Sequence, residues 1–164
     1  MIWKGKKLLI GIGNSARQYT NTRHSIGLEF IKFATSKKLP SSLIPLSSNE
    51  FMNLSGKFVQ KSICSHQIKD PSSEVIIVCD DLEQQVGCWK FKETGSANGH
   101  NGLKSIFQIL GTQKIPRLLI GISRPATKDP AAISEYVLSR MPLDEKKKIS
   151  EEVFVKIVTF LNEK

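Results

Sequence analysis

The chain has 164 residues, enough for one domain with a sizeable core, and its 40% hydrophobic content is that of a soluble globular protein. No apolar run approaches the ~18–20 residues that cross a bilayer. The net charge is +9, from 24 Lys and Arg against 15 Asp and Glu. This excess favours a polyanionic partner, with nucleic acid ahead of a membrane surface, and the alternative is a basic surface that is merely solvated.

The three cysteines, Cys64, Cys79 and Cys88, form no C-x-x-C pair and are odd in number. We expect buried thiols in a reducing compartment and no metal bound by them. The first residues lead almost at once into an apolar run, which leaves no room for a signal or transit peptide. The cytoplasm is therefore the expected compartment, with an organelle such as the mitochondrion as the alternative.

Strands and helices are predicted to alternate along the chain. In order, the predicted elements are a strand at 7–12, a helix around 26–34, a Ser/Pro-rich connection at 37–48, a helix capped by Ser55, a strand at 74–79, a helix at 103–110, a strand at 117–122, a turn at 126–130 and an amphipathic helix at 144–161. The strands are continuously apolar, which is typical of a largely parallel sheet covered on both faces. The pattern predicts a single α/β domain over residues 1–164, with helices flanking a twisted, mixed but mostly parallel sheet.

The most polar segment is residues 95–104, GSANGHNGLK, which directly precedes an apolar helical pattern. A helix N-terminus attracts anions, and glycines let a ligand approach the backbone. The segment is therefore a candidate ligand-binding loop, and two other polar clusters, at 14–24 and 53–81, are candidates to meet it at one site.

A formal dinucleotide fingerprint, G-x-G-x-x-A, ends the first predicted strand at residues 11–16. Such a fingerprint opens an apolar helix, whereas a polar loop follows here, and no acidic residue ends a second strand at the required distance. We interpret the segment as a tight turn that presents Asn14 at the carboxyl end of a strand, the edge where open α/β sheets place their sites.

Two histidines compete for an acid–base role. His24 lies at a helix start, and Asp80 and Asp81 follow the strand at 74–79. A carboxylate that accepts a hydrogen bond from one imidazole nitrogen raises the basicity of the other, and such acid–base help contributes about 10²–10⁴-fold in rate. The alternative for the aspartates is a turn or a cap. His100, in the glycine-rich loop, is the competing histidine, with a structural bond to the loop backbone as its alternative.

Three asparagines, Asn14, Asn53 and Asn101, lie next to predicted elements. Their amides suit hydrogen bonds to peptide carbonyls, ribose hydroxyls or a developing oxyanion, although each alone is more typical of a turn or cap. No G-x-S-x-G elbow surrounds Ser96, and the sequence has no zinc-ligand spacing.

Taken together and in order, these segments resemble the bacterial-type peptidyl-tRNA hydrolase family along most of the chain. The matching segments are LIGIGN at 9–14, Tyr19, TRH at 22–24, Gly27, MNLSG at 52–56, DDL at 80–82 with Gly87, KFK at 90–92, GHNGLKSI at 99–106 and RLLIGISRP at 117–125. Any one of them is weak evidence, whereas the ordered set is highly specific.

The resemblance implies an enzyme that hydrolyses the ester between a peptide and the 3′ end of a tRNA, without metal or cofactor, and so recycles tRNA from aborted translation. It implies that His24 activates water and that Asp80 orients His24. By position it also implies Asn14, Asn53 and Asn101 as substrate and oxyanion contacts, Tyr19 and Met52 as walls of the peptide crevice, and Lys90, Lys92 and Lys104 as contacts to phosphates of the tRNA acceptor stem. It implies a monomer without a membrane partner.

The chain departs from the family pattern in four places. Asn-Pro-Gly is Asn14-Ser-Ala, Arg-His-Asn ends in Ser25, His-Asp-Asp begins with Cys79, and the strand hairpin before Met52 is shortened. We expect a shortened edge hairpin, an altered crevice wall, and weaker activity or a shifted substrate preference.

Two rivals stay open. The first is a non-catalytic RNA-binding relative of the same fold, which the lost Asn-Pro-Gly favours slightly. Retention of His24, Asp80 and the three asparagines opposes it, because RNA binding alone does not need them. The second is a serine esterase of small acyl substrates, which a serine-directed probe would label.

Overall fold

A computed structural model describes residues 4–164, which form one five-stranded sheet between two layers of helices. The strands are β1 (Lys7–Gly11), β2 (Leu43–Ser47), β3 (Val75–Asp81), β4 (Trp89–Lys92) and β5 (Arg117–Gly121). The helices are α1 (Ile26–Thr35), α2 (Ser55–Ser65), α3 (Pro71–Glu74), α4 (Asn101–Leu110), α5 (Pro130–Leu138), α6 (Leu143–Lys148) and α7 (Phe154–Asn162). Short 3₁₀ turns lie at Arg17–Tyr19, Arg23–Ser25 and Met52–Leu54, and a π turn at Ile149–Val153 joins α6 to α7.

The strand order is β2-β1-β3-β5-β4. Every neighbouring pair is parallel except β4 and β5, which are antiparallel. The carboxyl ends of the four parallel strands therefore share one edge of the sheet, where Gly11, Asp81 and Gly121 lie. This arrangement confirms the predicted α/β class with a mixed, mostly parallel sheet.

Side chains of β3 alternate between two cores. Ile76 and Val78 pack in the layer that includes α1 and α7, whereas Ile77 and Cys79 pack in the layer that includes α2 and α4. Because both faces of the sheet are covered, each inner strand is apolar throughout, which explains the continuous runs in the sequence.

The predicted strands and the helices at 26–34 and 103–110 are found within one or two residues of their expected bounds. The connection predicted at 37–48 contains β2, an edge strand interrupted by Pro45, which edge positions tolerate. The edge there consists of this single strand, paired in parallel with β1, and no hairpin accompanies it within residues 4–164.

The expectation of buried thiols is met by Cys79 only, because Cys64 and Cys88 are exposed.

Of three local predictions, the cap at Ser55 was wrong, and those for residues 126–130 and for the tail helix were incomplete. Residues 126–130 are not only a turn, because the Asp129 carboxylate accepts hydrogen bonds from the first amides of α5, with Pro130 at its first position. Ser55 does not cap α2: its hydroxyl donates to the Met52 carbonyl oxygen (2.7 Å), since helical turns already begin at Met52. The tail helix is divided by the π turn into α6 and α7.

Across residues 4–164, none of the helices combines the length and apolar character that a bilayer crossing requires.

Candidate active site and basic face

His24 and Asp80 form a buried pair at the carboxyl edge of the sheet. The His24 Nδ1 lies 2.8 Å from Asp80 Oδ1 and 2.9 Å from Asp80 Oδ2. Contact with a carboxylate places the imidazole proton on Nδ1, so Nε2 carries the lone pair. Nε2 has no protein hydrogen-bond partner within residues 4–164, and His24 lines the cleft described below. His24 is thus arranged to accept a proton from a molecule in that cleft.

Contacts of Arg23 fix the position of the turn that carries His24. The Arg23 amide donates to the Ser139 carbonyl oxygen (3.1 Å), and its guanidinium lies 4.1 Å from the centre of the Tyr136 ring. Its Nη2 also lies 3.5 Å from Glu145 Oε2. These contacts tie the His24 turn to the segment from α5 to α6.

His100 contacts the same carboxylate from the opposite layer. Its Nε2 lies 3.1 Å from Asp80 Oδ1, and its Nδ1 accepts a hydrogen bond from the Leu103 amide (3.3 Å) as the N-cap of α4. A ring nitrogen that accepts from an amide carries a lone pair, so Nε2 is the protonated nitrogen that donates to Asp80. The structural alternative for His100 is found at the Leu103 amide of α4 and not at the loop backbone, and His100 additionally binds Asp80.

The titration of the pair follows from these contacts. Burial opposes the charged form of His24, but the Asp80 carboxylate and its hydrogen bond outweigh burial and raise the pKa of His24 above its ordinary value. Burial likewise opposes ionisation of Asp80, but His24 and His100 together hold the pKa of Asp80 well below its usual range. Asp80 is therefore a fixed anion at neutral pH.

Asp81 has a different function from its neighbour. Its Oδ1 accepts a hydrogen bond from the Glu83 amide (2.9 Å), which closes the turn after β3. Each interpretation of the aspartate pair therefore applies to one residue: Asp80 binds the histidines, and Asp81 caps a turn.

Asn14 lies beside the pair and is held on two sides. Its Oδ1 accepts a hydrogen bond from the Met52 amide (2.8 Å), and its carbonyl oxygen accepts one from the Ser25 hydroxyl (3.3 Å). The Asn14 side-chain NH₂ is thereby oriented, and it remains available to a ligand. Ser25 supports Asn14 through its hydroxyl, although it lacks the side-chain amide of the family's asparagine. Ala16 has a φ of −62°, so the turn forms without the family's proline and glycine.

A cleft of about 530 Å³ opens at this edge of the sheet. The structure brings most of the predicted site residues to its lining: His24, Asp80, Asn14, Tyr19, Met52, Asn53, Asn101 and Lys92. Lys90 and Lys104 lie outside it and are exposed, on β4 and α4 respectively.

The three lysines predicted to contact tRNA, Lys90, Lys92 and Lys104, share one layer of the molecule. Trp89 and Phe91 of β4 pack against Phe160 of α7. Since side chains alternate along a strand, Lys90 and Lys92 project to the opposite layer, which contains α4 and its exposed Lys104. The three lysines thus face the same side of the sheet.

Sequence reasoning missed two parts of the cleft. Arg117 lines it from β5 with 1% of its surface exposed, and burial lowers the pKa of its guanidinium. A charged residue opening an apolar strand was the available signal. Ile133, Val137 and Leu138 of α5 form an apolar wall of the cleft. The Asp-Pro pair at the start of α5 could have predicted this helix, but not that it lines the cleft.

Ligand atoms of His24, Asp80 and His100 lie within 4.8 Å of one another, a spacing that also suits a metal ion. The hydrogen-bond pattern argues against this use, because both nitrogens that face Asp80 carry protons and the second nitrogen of His100 is engaged by Leu103. The Ser96 hydroxyl, which lacks the nucleophile-elbow motif, donates a hydrogen bond to the Asn98 side-chain oxygen (2.6 Å).

The family model described as "Peptidyl-tRNA hydrolase" matches residues 33–163. Among curated relatives, a peptidyl-tRNA hydrolase of Brevibacillus brevis is 33% identical over 169 aligned positions, covering 90% of this chain and 85% of the relative. One of a Sulfurihydrogenibium species is 35% identical, covering 85% and 81%. Among solved structures, the crystal structure of peptidyl-tRNA hydrolase from Acinetobacter baumannii is similar, with a TM-score of 0.79, 27% identity, and coverage of 96% of this chain and 89% of that one.

Proposed function

Because the chain belongs to the peptidyl-tRNA hydrolase family, we propose that it hydrolyses the ester bond of peptidyl-tRNA and releases peptide and free tRNA. The observation that carries the proposal is the buried His24–Asp80 pair, with the unprotonated Nε2 of His24 directed to a cleft large enough for the end of a peptide.

In the proposed mechanism, Nε2 of His24 removes a proton from a water molecule as the water oxygen attacks the ester carbonyl carbon. The carbonyl electrons move onto oxygen, and the tetrahedral intermediate then collapses with cleavage of the bond to the ribose oxygen. That oxygen takes the proton from His24, which restores the neutral imidazole. The Asp80 anion stabilises the transient imidazolium of His24 and keeps the proton on Nδ1 of that ring.

Asparagine amides supply the polar contacts to the substrate. The NH₂ of Asn14 is oriented by the Met52 amide and suits the developing oxyanion or a peptide carbonyl. Asn53 and Asn101 lie exposed at the cleft and suit backbone groups of the peptide and hydroxyls of the terminal ribose. Tyr19 and Met52 contribute walls, and recognition of main-chain groups would admit many peptide sequences.

Lys90, Lys92 and Lys104 are proposed to bind phosphates of the tRNA acceptor stem. Lysine side chains that neutralise phosphates release counterions, so binding should weaken steeply with salt. The net charge of +9 supports this assignment.

We further propose that the single domain of residues 1–164 acts as a monomer in the cytoplasm, with an organelle such as the mitochondrion as the alternative. The large hydrophobic side chains exposed within residues 4–164 are Phe51, before the Met52 turn, Leu143 in α6 and Val155 in α7. Sedimentation tests the monomer, and imaging of the tagged chain in its native cell tests the compartment.

The deciding experiment is release of N-acetylated amino acid from tRNA under single-turnover conditions. We expect His24→Ala to slow release by about 10²–10⁴-fold while binding uncharged tRNA as the unaltered protein does. Release at an unchanged rate would reject the enzyme assignment. Absence of release by the unaltered protein, with tRNA binding intact, would favour the non-catalytic RNA-binding relative.

A further inference from the structure

Acidic residues are distributed very unevenly over the molecule. Residues 51–69 and 94–128, which include α2 and α4, contain no Asp or Glu. The opposite layer is mixed in charge: residues 129–163, which include α5, α6 and α7, contain both acidic and basic side chains. The layer of α2 and α4 is therefore cationic without nearby carboxylates on those helices to neutralise it.

The two helices of this layer lie side by side in close contact. The Gly56 amide donates to the Ser105 hydroxyl (3.0 Å), and a Cβ on Gly56 would lie 2.4 Å from the Ser105 carbonyl oxygen. Only glycine permits this approach. Both helices begin beside the cleft, because Asn53 and His100, just before their first turns, line it. Both then run away from it across one face of the sheet.

Two lysines of α2 extend the basic surface away from the cleft. Lys57 and Lys61 are exposed and four residues apart, so they lie on one side of α2, about 6 Å apart along its axis. Gly56 faces α4, and Val59 and Ser62 face the core, which leaves Lys57 and Lys61 on the outer surface. Lys104 occupies the outer surface of the neighbouring α4.

We propose that Lys57 and Lys61 form a second phosphate-binding row, which holds the duplex part of the tRNA beyond the segment bound by Lys92 and Lys104. The inference rests on the proposed function, since it extends the same RNA from the cleft across α2. An RNA duplex is recognised by its shape and its phosphates, and two adjacent helices that carry spaced lysines and contain no Asp or Glu fit that chemistry.

The test is binding of uncharged tRNA by the double variant Lys57→Gln/Lys61→Gln at several salt concentrations. We expect the dissociation constant to rise about 3–10-fold at low salt, and the slope of log K against log[salt] to become shallower by about 1.5–2, the contribution of two phosphate contacts. A short single-stranded oligonucleotide ending in CCA should bind the variant and the unaltered protein equally, because it lacks the duplex.

The matched control is Lys147→Gln/Lys156→Gln, which removes the same charge from exposed positions in α6 and α7. Lys57→Arg/Lys61→Arg should restore tRNA binding and its salt slope. An unchanged slope in the Gln variant, an equal loss in the control pair, or an equal loss with the CCA oligonucleotide would each overturn the proposal. So would loss of binding to phosphatidylserine vesicles with tRNA binding intact, which would assign the row to a membrane surface.

Binding of uncharged tRNA does not depend on ester hydrolysis, so the two proposals fail separately. If His24→Ala still releases peptide, the catalytic assignment fails whatever α2 does. If the α2 variant binds tRNA normally while His24→Ala is inactive, only the second phosphate row is rejected.

Discussion

The buried polar cluster and the exposed basic face of the molecule differ in how their charges are held. His24 and Asp80 are buried and His100 is partly buried, and hydrogen bonds of 2.8–3.1 Å join both histidines to Asp80. Lys90 and Lys104 stand exposed at the surface. Buried charges interact strongly at short range and respond to pH, whereas exposed charges act over longer distances and are screened by salt. The same molecule should therefore be sensitive to pH in its chemical step and to salt in its binding step.

The largest effect that separates the two regions is expected from Asp80→Asn. The proposed base, His24, must be neutral to accept a proton, so its raised pKa should set the acidic limb of the rate profile above that of an ordinary histidine. The substitution removes the carboxylate that raises this pKa and leaves burial, which lowers it. We expect a rate loss of about 10²-fold or more, and an acidic limb displaced to lower pH, in single-turnover release measured between about pH 5 and 8.

The salt dependence of tRNA binding by Asp80→Asn should remain that of the unaltered protein. An acidic limb that stays in place would show that the limb belongs to another group. A changed salt slope would show that the two regions are coupled.

A smaller effect, on tRNA binding and not on the chemical step, is expected from Lys92→Gln and Lys104→Gln. Each removes one proposed phosphate contact, so the salt slope of tRNA binding should become shallower by about 0.7–0.9 per variant, and affinity at low salt should fall several-fold. The single-turnover rate at saturating enzyme and its pH profile should be unchanged. Lys147→Gln, in α6 on the mixed-charge layer, is the matched control. An equal loss of binding in this control would show that only the net charge of the protein matters, and not the positions of Lys92 and Lys104.

The smallest effect is expected from His100, which contacts Asp80 and also caps α4. His100→Ala removes both interactions, and loss of an N-cap costs about 1 kcal/mol of the free energy of unfolding. Asparagine is itself a good N-cap, so His100→Asn should restore most of that stability while leaving Asp80 with one histidine. We expect His100→Asn to retain the melting temperature and lose a few-fold in rate. A rate equal to that of the unaltered protein would show that the His100–Asp80 contact is only structural.

The inner strands were predictable because both their faces are buried, which leaves a continuous apolar run in the sequence. The edge elements were not, since β2 contains Pro45 and β4 has only four residues, so neither has a distinctive period. The residues alone indicated His24 with Asp80 or Asp81, and the resemblance selected Asp80. The hydrogen bond from His100 to Asp80 joins residues that are distant in the sequence. No local sequence pattern predicts such a contact.

Pro45 has a consequence for the open edge of the sheet beside β2. The Lys7 amide donates to the Ser42 carbonyl oxygen, and the Ser48 amide donates to that of Gly11. Alternation along β2 therefore directs the backbone groups of residues 43, 45 and 47 away from β1. Leu43 already donates to Pro40, and Pro45 has no amide hydrogen, so of these three residues only Ser47 offers a donor along the open edge. A strand from another molecule would find one donor where an uninterrupted strand offers three, so the proline disfavours edge-to-edge pairing at β2.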